Sequence, residues 1–419
     1  MERVATRSAG SLNGTQVALD KHHELCSRDH ARKLRRVDRL RARRALRSLS
    51  QLPRVRSCGL YSRLPDGEVT AQVTVTPDGP RAGFGGLIVC GSVWACPWCS
   101  AKIMAGRSEE LEEAIRAWTE RGGSWALVTL TVRHHAGQSL EQVWNAVADA
   151  WRAVTGHRSW REYRRRYGIA GYVRVVEVTH GANGWHVHLH VLVAIVGDPS
   201  VVYGLGEVMY ERWALALAAR GFSAVRDAQD FRPVVTVDAA LGDYLAKAVY
   251  RSAAIEVTGA GLKQARRGNR TPFQILAGFL ATGDAEDLAL WHEWERVSRG
   301  RRQWTWSRGF RVALGLGEIA TDEELADAAL GGDEVFRLPA ESWTVLRDDP
   351  DRLAVLLDVI EADPTGVLAR WQLDVWGIAW KPGRSVDPGA RGAGAPGRLA
   401  QAPPGTLRAG ALCRQSVSQ

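Results

Sequence analysis

The segment Trp185-His186-Val187-His188-Leu189-His190-Val191 alternates polar and apolar residues without a break, and this restricts what the chain around it can become. A helix would scatter the three imidazoles around its circumference. A strand puts His186, His188 and His190 on one face and sends Val187, Leu189 and Val191 into a core. A second strand-like run, Gly171 to Thr179 (GYVRVVEVT), lies just upstream, and Asn183-Gly184 between the two is the strongest short hairpin signal. With that dipeptide as a two-residue turn, Ala182 pairs with Trp185 and the ladder sets Glu177 opposite His190, on the histidine face. A carboxylate and two or three imidazoles on one sheet surface suit a divalent ion, Mn²⁺ or Mg²⁺ in use, with Zn²⁺ compatible by ligand type alone. Such an ion would polarise a phosphoryl oxygen. Three histidines at i, i+2 and i+4 beside a carboxylate argue against an ordinary half-exposed strand face.

The surroundings of this hairpin mix a further β-type run, Ala126 to Val132 (ALVTLTV), with amphipathic helix patterns at Leu140 to Val154 and Glu207 to Ala219. The implied class is α+β, a central antiparallel sheet flanked by helices. A chain of 419 residues exceeds one average domain. Composition divides it into a basic extension (1–57), a cysteine-bearing module (58–104), the strand-and-helix region (105–255), a helical C-terminal region (256–380) and a Gly/Pro/Ala/Arg-rich tail (381–419) read as disordered.

The 55 Lys+Arg outweigh 46 Asp+Glu, for a net charge of +9, which favours a polyanionic partner where the charge is clustered. It clusters between Arg28 and Arg47, where a DNA-tracking arm and a solvated basic helix are equally good readings. Arg266, Arg267 and Arg270 form a second basic group, again either a clamp on a nucleic-acid strand or an ordinary polar loop. No run of 18 apolar residues and no apolar stretch behind the basic N-terminus is present, so a cytoplasmic protein is expected.

In a reducing compartment six cysteines point to metal or catalysis rather than to a disulfide scaffold. Cys96-x-x-Cys99, with Cys90 six residues earlier and Cys58 further upstream, supplies four thiolates for a tetrahedral structural Zn²⁺. A redox pair at Cys96 and Cys99 is the alternative, but no thioredoxin-like pattern surrounds it. Cys26 and Cys413 stay unassigned. Downstream, Asp238 to Arg251 has a helical pattern that places Tyr244, Lys247 and Arg251 on one face. A phenol beside cations is a candidate nucleophile toward a phosphodiester. Its attack would leave a 5′-phosphotyrosine and a free 3′-hydroxyl that serves as a primer.

Taken in order, Thr129-Leu-Thr131, Gly184-Trp-His-Val-His-Leu-His-Val-Leu192 and Tyr244-Leu-Ala-Lys247 resemble the three motifs of the HUH endonucleases. They are most similar to the rolling-circle replication initiators (Rep proteins) of small bacterial plasmids. The segments Cys90 to Cys99, Gly268 to Leu276 and Gly300 to Arg311 resemble the actinomycete-plasmid type. The resemblance implies an HUH-type nicking domain over 105–255. In it His188 and His190 are metal ligands with Glu177 or His186 as the third, Tyr244 is the catalytic tyrosine, and Lys247 orients the phosphate. It implies plasmid origin DNA, single- and double-stranded, as partner. The order of motifs, histidines before tyrosine, disfavours a relaxase and leaves a single-tyrosine transposase open. A zinc-dependent DNA-binding regulator of copy number is the non-enzymatic alternative. Ala240 stands where some relatives carry a water-activating glutamate, which puts the terminating step in doubt. With no G-x-x-x-x-G-K-[ST] loop in the sequence, strand separation and synthesis are expected to fall to a host helicase and a host DNA polymerase.

Overall fold

The computed structural model describes residues 33–76, 79–234, 268–327 and 332–384. The tyrosine helix with Tyr244, Lys247 and Arg251, the arginines 266 and 267, Cys26, Cys413 and the tail beyond 384 lie outside the described residues. Two compact units are formed. One comprises Met1–Leu40, Ser62–Leu87 and Ala329–Gln419, the other Arg41–Tyr61 and Ile88–Ala328.

The strands in chain order are β1 (Val69–Thr76), β2 (Gly79–Gly85), β3 (Gly123–Thr131), β4 (Ile169–Gly181), β5 (Gly184–Val196), β6 (Asp230–Val234), β7 (Trp304–Trp306), β8 (Asp333–Leu338) and β9 (Lys381–Pro382). In the first unit they build a sheet of order β2-β1-β8-β9. Two charged knots lie within this unit: Glu68, buried, takes Arg337 and Lys381, and Arg36 pairs with Asp358 and Glu361. An ion removed from water needs such a partner. This part of the basic N-terminal run is therefore committed inside the fold.

The second unit is a five-stranded sheet of order β6-β3-β5-β4-β7, and every pairing in it is antiparallel. Mixed α+β architecture with antiparallel sheets flanked by helices is thus what the chain adopts. The odd-numbered side chains of β5, from Val187 to Ile195, are buried in one apolar cluster with Val143, Trp144 and Val147 of the helix Leu140–Thr155 and with Leu205, Met209 and Trp213 of the helix Val202–Ala218. The first of these helices begins at a capping box: Ser139 accepts from the Gln142 N–H, and the Gln142 side chain accepts from the Ser139 N–H. Its large apolar residues recur at three and four, and all lie on the buried side. The second starts five residues ahead of the Glu207 that the sequence pattern suggests, because Gly204 and Gly206 hide its first turn. Gly206 is needed there, since a Cβ would stand 2.4 Å from the Phe231 ring.

The opposite face is covered along half its length. Leu192 and Ala194 continue the histidine row of β5 but pack with Trp125, Leu127 and Val173 beneath Leu111, Ala114 and Ile115 of the helix Pro97–Thr119 and Phe310. From His190 toward the hairpin tip the same face is only partly buried.

The hairpin register differs from the expected one. Gly181 pairs with Gly184, and the two-residue tip is Ala182-Asn183. Gly184 (φ 80°) follows the tip as a left-handed residue instead of forming it. Glu177 consequently faces His188, not His190. The slip amounts to two residues, so Glu177 keeps its face.

Leu189 lies between the two central histidines and is 1% exposed. Leu189→Ala should cost about 2–5 kcal/mol of stability, read as a lower urea midpoint with an unchanged slope.

Candidate metal centre

Three side chains converge where the histidine face is open. Glu177 Oε2 lies 3.0 Å from His188 Nε2 and 2.9 Å from His190 Nε2, and the two imidazole nitrogens are 3.0 Å apart. Adjacent rungs of the ladder bring them together, since β4 supplies the carboxylate and β5 the imidazoles. Protons alone satisfy this triangle poorly: each imidazole N–H can donate to the carboxylate, but then the two N–H groups oppose one another. A shared cation satisfies all three donors. Ligands at about 2.1 Å in octahedral geometry are about 3.0 Å apart, so the triangle has the size of one octahedral face. Glu177, His188 and His190 are the donors brought into one group.

Second partners set the orientation of the ring on β5. Thr129, which pairs with His190 across β3 and β5, places its Oγ1 3.2 Å from His190 Nδ1. His188 Nδ1 is buried and finds no hydrogen-bond partner among the described residues. Burial opposes ionisation of Glu177, but the positive charge of His188 and the hydrogen bonds from His188 and His190 overcome it and hold the carboxyl well below its usual range.

His186 is not in this group. Its Nδ1 lies 2.9 Å from His134 Nε2, and His134 Nδ1 lies 2.8 Å from the Asn183 carbonyl oxygen. A carbonyl only accepts, so a neutral His134 donates from Nδ1 and accepts at Nε2; the His186 proton then sits on Nδ1. Burial, and the nearness of the His188 and His134 imidazoles, pushes His186 down to about 3. Burial likewise lowers His134. His134 escapes a motif search because it lies beyond the end of β3. Its signal is the register: Thr131 pairs with His188, so the chain after β3 runs toward His186. Arg270, one of the suspected clamp residues, makes a bidentate pair with Asp287 at 2.6 and 2.7 Å, and its backbone bridges to His180. Its charge is already neutralised.

The four cysteines Cys58, Cys90, Cys96 and Cys99 form a second group, all buried. Sulfur separations are 3.5 Å (Cys58–Cys99), 3.6 Å (Cys90–Cys99) and 3.7 Å (Cys96–Cys58). Four sulfurs at about 2.3 Å around a tetrahedral Zn²⁺ would be about 3.8 Å apart, and a disulfide would need about 2.05 Å. The donor set therefore suits a metal. Cys96 caps the helix Pro97–Thr119 and Cys99 sits in its first turn, with Pro97 fixing the entry. Hydrogen bonds from Cys90, Cys96 and Cys99 hold Cys58 well down, while contact with Cys58 and burial push Cys90 and Cys96 well up. Arg43, buried, stands over the Trp98 ring at 4.9 Å and adds a positive charge near Cys58.

Tryptophans connect the two groups. Trp94, between Cys90 and Cys96, meets Trp144 and Trp294 edge-on at 5.3 Å, and Trp294 stacks on Trp185 at 6.1 Å, the residue before His186. The Trp294 indole N–H donates to the Trp94 carbonyl at 2.8 Å, and that of Trp185 to Glu293 at 2.8 Å.

Comparison with known proteins places the chain among replication proteins. The family model described as a replication protein matches residues 88–200. "Protein rep" of Streptomyces lividans is 32% identical over 311 residues, covering 59% of this chain and 68% of that protein. A "Neomycin resistance protein" of Streptomyces cyanogenus is 36% identical over 138 residues, 27% of this chain and 31% of that protein. No solved structure matches.

Purified protein should carry about one zinc per chain, lost together with several kcal/mol of stability in a Cys96→Ser/Cys99→Ser variant, as measured by elemental analysis and thermal melts. A pH dependence also follows. The unfolded chain protonates His186 near its ordinary 6.5 and the folded chain only near about 3, so stability is present above pH 6.5 and lost as pH falls between these values. Urea titrations of metal-free protein across this range should show a shallower loss in His186→Gln.

Proposed function

This chain belongs to the replication-protein family of actinomycete plasmids, the rolling-circle Rep proteins, and from that premise we propose that it nicks one strand at the plasmid double-strand origin. The fold of the second unit is read as HUH-type, and the observation that carries the proposal is the Glu177, His188 and His190 triangle at the open end of the sheet face. Mn²⁺ or Mg²⁺ held there would polarise a phosphoryl oxygen of the scissile phosphate. Thr129 keeps His190 turned to this task.

Tyr244 is proposed as the nucleophile. Its oxygen, freed of its proton, forms a bond to phosphorus while the bond from phosphorus to the 3′ oxygen breaks. The departing oxygen takes up a proton and becomes the 3′-hydroxyl primer. Lys247 grips the phosphate and, with Arg251, favours the phenolate. One phosphoester replaces another, so the 5′-phosphotyrosine conserves the bond for later rejoining. The four cysteines are assigned a structural Zn²⁺, and unwinding and synthesis are assigned to a host helicase and polymerase.

Incubation with Mn²⁺ and a 3′-labelled single-stranded origin oligonucleotide should give a denaturant-resistant labelled adduct whose peptide contains Tyr244. Tyr244→Phe should reduce the adduct below detection while duplex binding changes less than about twofold, and His188→Ala/His190→Ala should remove metal-dependent nicking. An adduct mapped to Tyr250, or nicking that survives loss of both histidines, would refute the assignment.

A further inference from the structure

Several arginines of the basic clusters that draw attention in the sequence are engaged within the fold: Arg36 on two carboxylates, Arg43 beside the cysteines, Arg270 on Asp287. The helix His157–Arg166 (HRSWREYRRR) is different. It carries five arginines and a single acid, Glu162. Arg158, Arg161 and Arg165 are exposed, and among the described residues none of the three has a carboxylate partner. They recur at i, i+3 and i+7, so they share one face over about 10 Å of helix axis. With Glu162, Arg164 and Ile169 they line an open hollow of about 630 Å³.

The helix is mounted so that this face stays outward. Trp160 is buried with its ring 6.4 Å from Tyr172, and Ser159 receives Arg212 at 2.7 Å. Arg164 is tied to the carbonyls of Ile169 and Ala170, at 3.3 and 2.6 Å. The aromatic residues of the segment are engaged as well: Tyr163 lies beneath Arg212 at 5.9 Å, and Arg166 covers Tyr167 at 5.4 Å. Single-strand binding surfaces combine charge with exposed rings on which bases stack. Here the charge is presented and the rings are withdrawn, the chemistry of a surface that meets a sugar–phosphate backbone and reads no bases.

We infer that Arg158, Arg161 and Arg165 form a contact for the phosphate backbone of double-stranded DNA. This rests on the proposed nicking function for the identity of the DNA as origin duplex. The helix leads into β4, which reaches Glu177 eight residues after Ile169. Along the strand that is roughly 27 Å, or about eight base-pair steps of 3.4 Å. The arginine face would therefore hold duplex flanking the nick rather than the nick itself.

The test uses the full chain, an Arg158→Gln/Arg161→Gln/Arg165→Gln variant and the corresponding triple Lys variant. A labelled 30-base-pair duplex of arbitrary sequence is titrated at several salt concentrations. Removing one phosphate neutralisation lowers the slope of log affinity against log salt by about 0.9, so the Gln variant should be shallower by roughly 2–3 and the Lys variant close to the parent. Nicking of a short single-stranded origin oligonucleotide should be unchanged in both, which separates this surface from the nicking chemistry. An unchanged slope in the Gln variant, an equally shallow slope in the Lys variant, or a weakening confined to a single-stranded probe of the same length overturns the inference.

Discussion

The candidate centre depends on β5 being hydrogen-bonded along both edges. Fixed between β3 and β4, this strand cannot slide or rotate, and its strict alternation does two jobs. One set of side chains is buried in the core. The other set changes character midway, from imidazoles at His186, His188 and His190 to Leu192 and Ala194, at the point where the helix Pro97–Thr119 covers the sheet. The donor atoms are thus carried by backbone whose position is set by ladder bonds and by apolar burial worth about 1.5–3 kcal/mol per large side chain. A site built on such elements holds its geometry without depending on loops.

The tryptophan contacts extend this rigidity toward the cysteine group. Trp294 touches Trp94, Trp144 and Trp185 at once, and its indole N–H also binds the Trp94 carbonyl. The turn that carries Cys90 and Cys96 is therefore packed with the hairpin that carries the histidines. Both groups are parts of one compact unit, and a change at the sulfurs has a short packed path to β5.

Much of the centre was legible in the sequence, because a period of two over seven residues admits one reading and because even spacing keeps Glu177 on the histidine face under either register. The register itself was not legible. Asn183-Gly184 suits the tip of a hairpin or the position just past it, and the choice of tip rests on tertiary packing: a Cβ on Gly184 would come within 3.0 Å of Ala136. His134 was missed because its role comes from a partner 52 residues away. The start of the helix Val202–Ala218 was hidden by glycines that exist for the sake of Phe231. The sheet of the first unit joins β1 to β8 across more than 250 residues, a pairing that no local pattern announces. The cysteines were easier, since a Cys-x-x-Cys pair with two further thiols upstream already has the ligand number and type of a tetrahedral metal site.

The hairpin register bears on how such a chain can change over generations. Glu177 reaches the imidazoles from the neighbouring strand, four residues before the pair that closes the tip. One residue added between Glu177 and that pair would turn the carboxylate into the core and present a valine to the imidazoles. Two added residues would restore the face, though not the rung. The tip can drift freely in composition, but the length of strand behind it is inherited in steps of two, and a lineage that loses one residue there loses the centre at a stroke.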